Sequence, residues 1–105
     1  MSENSSRLGF EKLNDTNYIE WSIRMEAELV RAGLWLMVEI QLDNIDGKDA
    51  ATISAKLEVK KGKRSWEKMA QARAEIILCV EGSQLDHMRD KDPMAIWETL
   101  RQETG

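Results

Sequence analysis

The chain has 105 residues, 15 of them Lys or Arg and 19 Asp or Glu, for a formal charge of −4. With 42% apolar and 32% charged residues it reads as one globular domain of ordinary size, not a disordered segment. One cysteine, Cys79, and one histidine, His87, exclude an internal disulfide, a thiolate zinc site and a two-His metal site. No apolar run approaches the ~20 residues that span a bilayer.

In chain order, residues 1–9 are polar and read as a disordered tail, and residues 10–105 as the folded unit. MSENSSRLGF lacks a basic start followed by an apolar stretch, so it is not a secretory leader and the expected location is cytoplasmic. Apolar residues then recur at spacings of three and four, with little period-two alternation, which predicts an all-α bundle of about four to six helices. The first helix is expected from Asn17, an N-cap with Glu20 three residues on in capping-box position. It ends at Gly33, with Leu34 folding back as in a Schellman motif. At 100° per residue its face divides into two apolar stripes. Tyr18, Trp21, Met25, Leu29 and Ala32 form one, and Ile19, Ile23, Ala27 and Val30 the other. The spacing predicts a helix wedged between two partners, either within the monomer or at a subunit interface.

Leu34–Ile40 is apolar and short and is expected to form a short helix. Asp43, Asn44, Asp46, Gly47 and Asp49 read as a loop. Ala50, Ile53 and Leu57 then permit a helix over 50–61, broken at Gly62. Ser65 caps a second strong helix to Val80, whose apolar face holds Trp66, Met69, Ala70, Ile76, Ile77 and Val80. Gly82 stops it. A short helix from Ser83 to Arg89 is expected to turn Leu85 and Met88 inward. Asp92-Pro93 opens the last helix as N-cap and first helical residue, with Ile96, Trp97 and Leu100 inside. The pattern stops within a few residues of Gly105, which suggests a piece of a longer protein.

Chemistry-bearing motifs are missing. There is no P-loop, no dinucleotide fingerprint, no G-x-S-x-G elbow and no H-E-x-x-H. Asp15-Thr16-Asn17 reads as the approach to the first helix, and Asn44, Asp46 and Gly47 give only a fragment of a calcium loop. Cys79, on the less apolar side of its helix, reads as a semi-buried thiol, and His87 as a surface residue; no third group makes them a catalytic pair. The reading is that of a non-enzyme, with no cofactor, no metal and no small-molecule substrate. Lys60, Lys61, Lys63 and Arg64 form a basic run that reads as a solvated turn or as a phosphate-contacting patch, with no exposed aromatic series beside it. Arg73 falls on the apolar face of its helix, where it either snorkels along the core edge or pairs with a carboxylate.

Four of the six aromatic residues are tryptophan, and they are spread one to a segment. Expected core anchors are Tyr18, Trp21, Met25, Leu29, Trp35, Trp66, Ile77, Trp97 and Leu100. Ile19, Ile23 and Val30 form the candidate self-association face.

Phe10, Lys12, Leu13, Asn14, Asn17, Tyr18 and Trp21 read F-x-K-L-N-x-x-N-Y-x-x-W. They are followed by Met25-x-Ala27-x-Leu29, Gly33-Leu34-Trp35, Trp66, Ile76-Ile77-Leu78 and Ala95-Ile96-Trp97-x-x-Leu100. From residue 10 onward this resembles the N-terminal capsid region of the Gag polyprotein of copia-type LTR retrotransposons. The resemblance implies a retroviral-capsid-like helical domain that makes lateral contacts in a virus-like particle. RNA would be packaged by the full-length protein, whose zinc knuckle, second capsid domain and enzymes lie further along. This segment alone would therefore assemble weakly. The stretch from Ala50 to Arg64 is longer and more charged than the family's usual pattern. The resemblance also admits a domesticated Gag-derived adaptor or antagonist that binds another Gag or a host protein. A further alternative, from the basic run itself, is an RNA-binding module using Lys60 to Arg64.

Overall fold

The computed structural model describes residues 9–42 and 46–104. Gly9 excepted, the tail expected over 1–9 lies outside them, as do Asp43 and Asn44 of the expected loop. Among the described residues the chain is mostly helical: α1 (Tyr18–Arg31), α2 (Ala50–Gly62), α3 (Trp66–Leu78) and α4 (Pro93–Thr104), with 3-10 helices at Trp35–Met37 and Gly82–Met88. No helix there is long and apolar enough to cross a membrane.

α1 begins after Asn17, but not by the expected capping box. Asn17 turns its side chain back along the chain. Its Oδ1 accepts the Asn14 N–H at 2.8 Å, and its Nδ2 donates to the Lys12 carbonyl at 3.0 Å. Glu20 lies 3.7 Å from Arg24 on the outer surface. The Asn17 amide therefore fixes the incoming loop, a local competition that Asn side chains commonly win outside helices. The far end matches expectation. Gly33 has φ +75°, the Leu34 N–H bonds the Leu29 carbonyl at 2.8 Å, and the Gly33 N–H bonds that of Val30 at 3.0 Å. Leu34 and Leu29 are both buried, which completes a Schellman ending with its apolar contact.

The core gathers Trp21, Met25 and Leu29 of α1, Leu34 and Val38 after it, Ala72 and Ile76 of α3, and Ile96, Trp97 and Leu100 of α4. Aromatic rings run through it. Tyr18 meets Trp21 at 6.4 Å between centroids, Trp21 meets Trp97 at 5.6 Å, and Trp35 stands edge-on to Trp97 at 5.4 Å and 82°. These are favourable separations for aromatic pairs. The expected anchors Trp21, Met25, Leu29, Trp97 and Leu100 are buried, and Tyr18, Trp35 and Ile77 pack half-buried against them.

Trp66 is the exception. It is 73% exposed, and its assignment to the core is corrected. The side of α3 that meets the core carries Ala72 and Ile76; at 100° per residue Trp66 stands about 100° from that line. The apolar face read from the sequence is broader than the surface the core offers it. Leu85 is corrected likewise: it is half exposed, and the inward positions of its 3-10 helix are Gln84 and Met88. Gln84 is held there by donating to Asp15 Oδ1 at 2.7 Å.

The segment before α1 is clasped to the end of α3. Leu13, fully buried, forms an isolated parallel bridge with Val80. Its N–H bonds the Cys79 carbonyl at 3.0 Å, and its own carbonyl accepts the Glu81 N–H at 2.9 Å. The Trp21 indole Nε1 donates to that same Cys79 carbonyl at 2.9 Å. Cys79 is thereby fully buried, deeper than the semi-buried position its helical angle suggests.

Candidate functional site

The second stripe of α1 is not covered. Ile19 is 76% exposed, Ile23 66% and Val30 56%, and Ala27 between them is exposed as well. Helical spacing aligns these four residues on one side of α1, while Trp21, Met25 and Leu29 occupy the side turned to the core. Full burial of this stripe within the monomer is thus excluded. Single exposed apolar residues are ordinary, whereas an aligned series on one helix makes a contiguous apolar patch and so a candidate interaction surface. Glu26 borders the stripe on one side and Glu20 on the other.

The basic run divides into residues with separate tasks. Arg64 is not in a solvated turn: its side chain is 6% exposed. Its Nη1 and Nη2 each approach one carboxylate oxygen of Asp92 at 2.8 Å. Nη1 also donates to the Met37 carbonyl at 2.8 Å, and Nε to that of Lys61 at 3.2 Å. One guanidinium thus joins the first 3-10 helix, the end of α2 and the start of α4. Asp92 in turn accepts the Met94 N–H at 2.8 Å and caps α4. The Arg64 hydrogen bonds hold the Asp92 carboxyl below the usual carboxylate range, against the opposing effect of burial. Arg64 is therefore withdrawn from any phosphate-contacting patch. Lys61 faces Glu58 at 3.5 Å. Lys60 donates to the Gln41 carbonyl at 2.7 Å, and Lys63 is exposed.

Arg73 takes neither of its expected roles in full. Its Nε donates to the Asp90 carbonyl at 2.9 Å and its Nη2 to the Met88 carbonyl at 2.8 Å. It ties α3 to the end of the second 3-10 helix through backbone oxygens instead of a carboxylate. His87 is half-buried on that helix. Tyr18 is half-buried beside Trp21, and its burial raises the phenol above its ordinary value.

No family model, no curated protein and no solved structure matches the chain.

One feature was not legible in the sequence. Leu36, Met37 and Ile40 form the apolar floor of an open hollow of about 300 Å³, rimmed by Lys60 and Lys63. Its signal was the length of the apolar run Leu34–Ile40. A three-residue 3-10 turn has too little inward surface to bury all of it, and Leu36 is left 59% exposed.

Proposed function

We propose that this domain is a structural self-association module, the N-terminal capsid domain of a copia-type Gag or of a host gene derived from one. The observation that carries this reading is the exposed Ile19–Ile23–Ala27–Val30 stripe on α1. The motif series beginning at Phe10 supports the family, and the mostly helical fold agrees with it. An aliphatic side chain fully buried in a contact contributes about 1.5–3 kcal/mol. Three such side chains offset a substantial part of the entropy lost on association and give a weak contact. Weak individual contacts suit a shell built from many copies, where repetition supplies the strength. On this reading the module works in the cytoplasm by contact with other copies and carries no catalytic role.

Ile23→Glu tests it. Because Ile23 is 66% exposed, the variant is expected to keep the helical content and thermal midpoint of the parent. Its sedimentation-equilibrium mass should stay monomeric at concentrations where the parent's mass rises. A parent that stays monomeric at its solubility limit, or a variant that associates as the parent does, would count against the proposal.

A further inference from the structure

The stripe on α1 and the lysine-rimmed hollow are separate surfaces of one chain, and their characters are complementary. The stripe is an apolar ridge bordered by Glu26 on one side and by Glu20, paired with Arg24, on the other. The hollow is lined by apolar Leu36, Met37 and Ile40 and by the cationic Lys60 and Lys63, the Lys60 ammonium donating to the Gln41 carbonyl of the same lining. Neither Glu26 nor Lys63 is in an ion pair among the described residues. The hollow is also set in shape before any contact is made. Arg64 holds Met37 against Asp92, and Lys60 holds the Gln41 carbonyl, so its walls are fixed by hydrogen bonds across elements.

We infer that the self-association is head-to-tail: the α1 stripe of one copy seats in the Leu36–Met37–Ile40 hollow of the next. This rests on the self-association reading above and names the partner surface for it. Charge decides between this contact and the symmetrical one. Packing two α1 stripes together would bring the unpaired Glu26 borders of both copies to one contact, where like charges repel, while the Glu20 border is already matched by Arg24. Seating the stripe in the hollow brings the unpaired Glu26 carboxylate toward the unpaired Lys63. A ridge of residues at helical spacing entering an apolar groove is a recurrent recognition mode. A contact between two different surfaces leaves one of each unused on every pair, so it propagates into rings or open arrays instead of stopping at a dimer.

The test uses two variants, Ile23→Asp to disable the stripe and Leu36→Asp to disable the hollow. Both positions are more than half exposed, and circular dichroism verifies the fold; if either variant unfolds, Ile23→Ser or Leu36→Ser takes its place. Each variant alone is expected to sediment as a monomer. An equimolar mixture is expected to form a one-to-one heterodimer and nothing larger, because it contains one intact stripe and one intact hollow per pair. Lys63→Glu is expected to weaken association of the otherwise unaltered chain about two- to fivefold. If the unaltered chain associates and Leu36→Asp associates equally well, the head-to-tail contact is wrong and the self-association reading stands. A mixture that stays monomeric also overturns the contact. If the unaltered chain does not associate at all, both fall.

Discussion

Arg64 and Asp92 carry more of this structure than any other polar pair. The guanidinium is nearly inaccessible and makes both bonds of a fork-to-fork contact while also reaching two backbone carbonyls. Such charge-assisted, two-point contacts are the strong class of hydrogen bond. Asp92→Asn leaves a cap for α4 but strands a buried cation. The expected loss is about 2–3 kcal/mol, below the range for a fully buried pair because Asp92 keeps some solvent contact. Denaturant titration measures it. The same pair sets an acid limit. The carboxyl is held lower in the folded chain than its unfolded value of about 3.9. Its contribution is complete above that value and is lost as pH falls through the folded value. Urea midpoints taken below about pH 4 should fall more steeply for the parent than for Asp92→Asn. Trp66 gives the opposite expectation. A buried tryptophan replaced by alanine costs about 3–5 kcal/mol, yet with Trp66 mostly in solvent, Trp66→Ala should change stability by no more than about 0.5 kcal/mol. It should also remove most of the fluorescence that iodide quenches, since Trp21 and Trp97 are buried and Trp35 is half-buried.

Among the elements, α2 stands apart. None of its residues is buried. It is held by half-buried Ile53 and Leu57, by the Lys60 and Arg64 bonds at its end, and by its caps: Asp49 Oδ1 accepts the Thr52 N–H at 2.7 Å, and Lys60 and Lys61 stand in the last turn, where the helix dipole favours cations. A helix without a buried face opens locally at low cost. Hydrogen exchange is therefore expected to be fast along α2 and slow in α1 and α3, and equal protection of all three would contradict this account. The sequence foretold these differences unevenly. α1 and α4 were legible because their periodicity, Gly33 and Asp92-Pro93 all agree. α2 was only permitted, since Ala50, Ile53 and Leu57 make a thin stripe. The exposed stripe of α1 was legible as a stripe, but the period that aligns it does not say which of two apolar faces meets the core. That choice was made by the ring contacts of Trp21 with Trp97. In the sequence Arg64 is one of four clustered cations. Its partner lies 28 positions further along, and only the fold brings the two together.

For the whole molecule, the decisive long-range link is the clasp between Leu13 and the end of α3. Leu13 is fully buried and its backbone bonds both Cys79 and Glu81. Leu13→Ala should cost about 2–5 kcal/mol by cavity formation, lowering the thermal midpoint while leaving the helical signal at low temperature nearly unchanged. The link also orders events in time. The carbonyl that receives the Trp21 indole belongs to Cys79, 58 positions further along the chain. During synthesis α1 therefore leaves the ribosome long before the residues that cover it. Until α3 and α4 have emerged, most of its core side faces water as well as its outer stripe, and an open apolar surface of this kind promotes premature association. On the proposed self-association reading, the chain passes through an interval when its core-facing stripe is available to other copies along with the outer one. The packing of α3 and α4, fastened by the clasp, closes the core side and leaves Ile19, Ile23 and Val30 as the part that stays open in the finished fold.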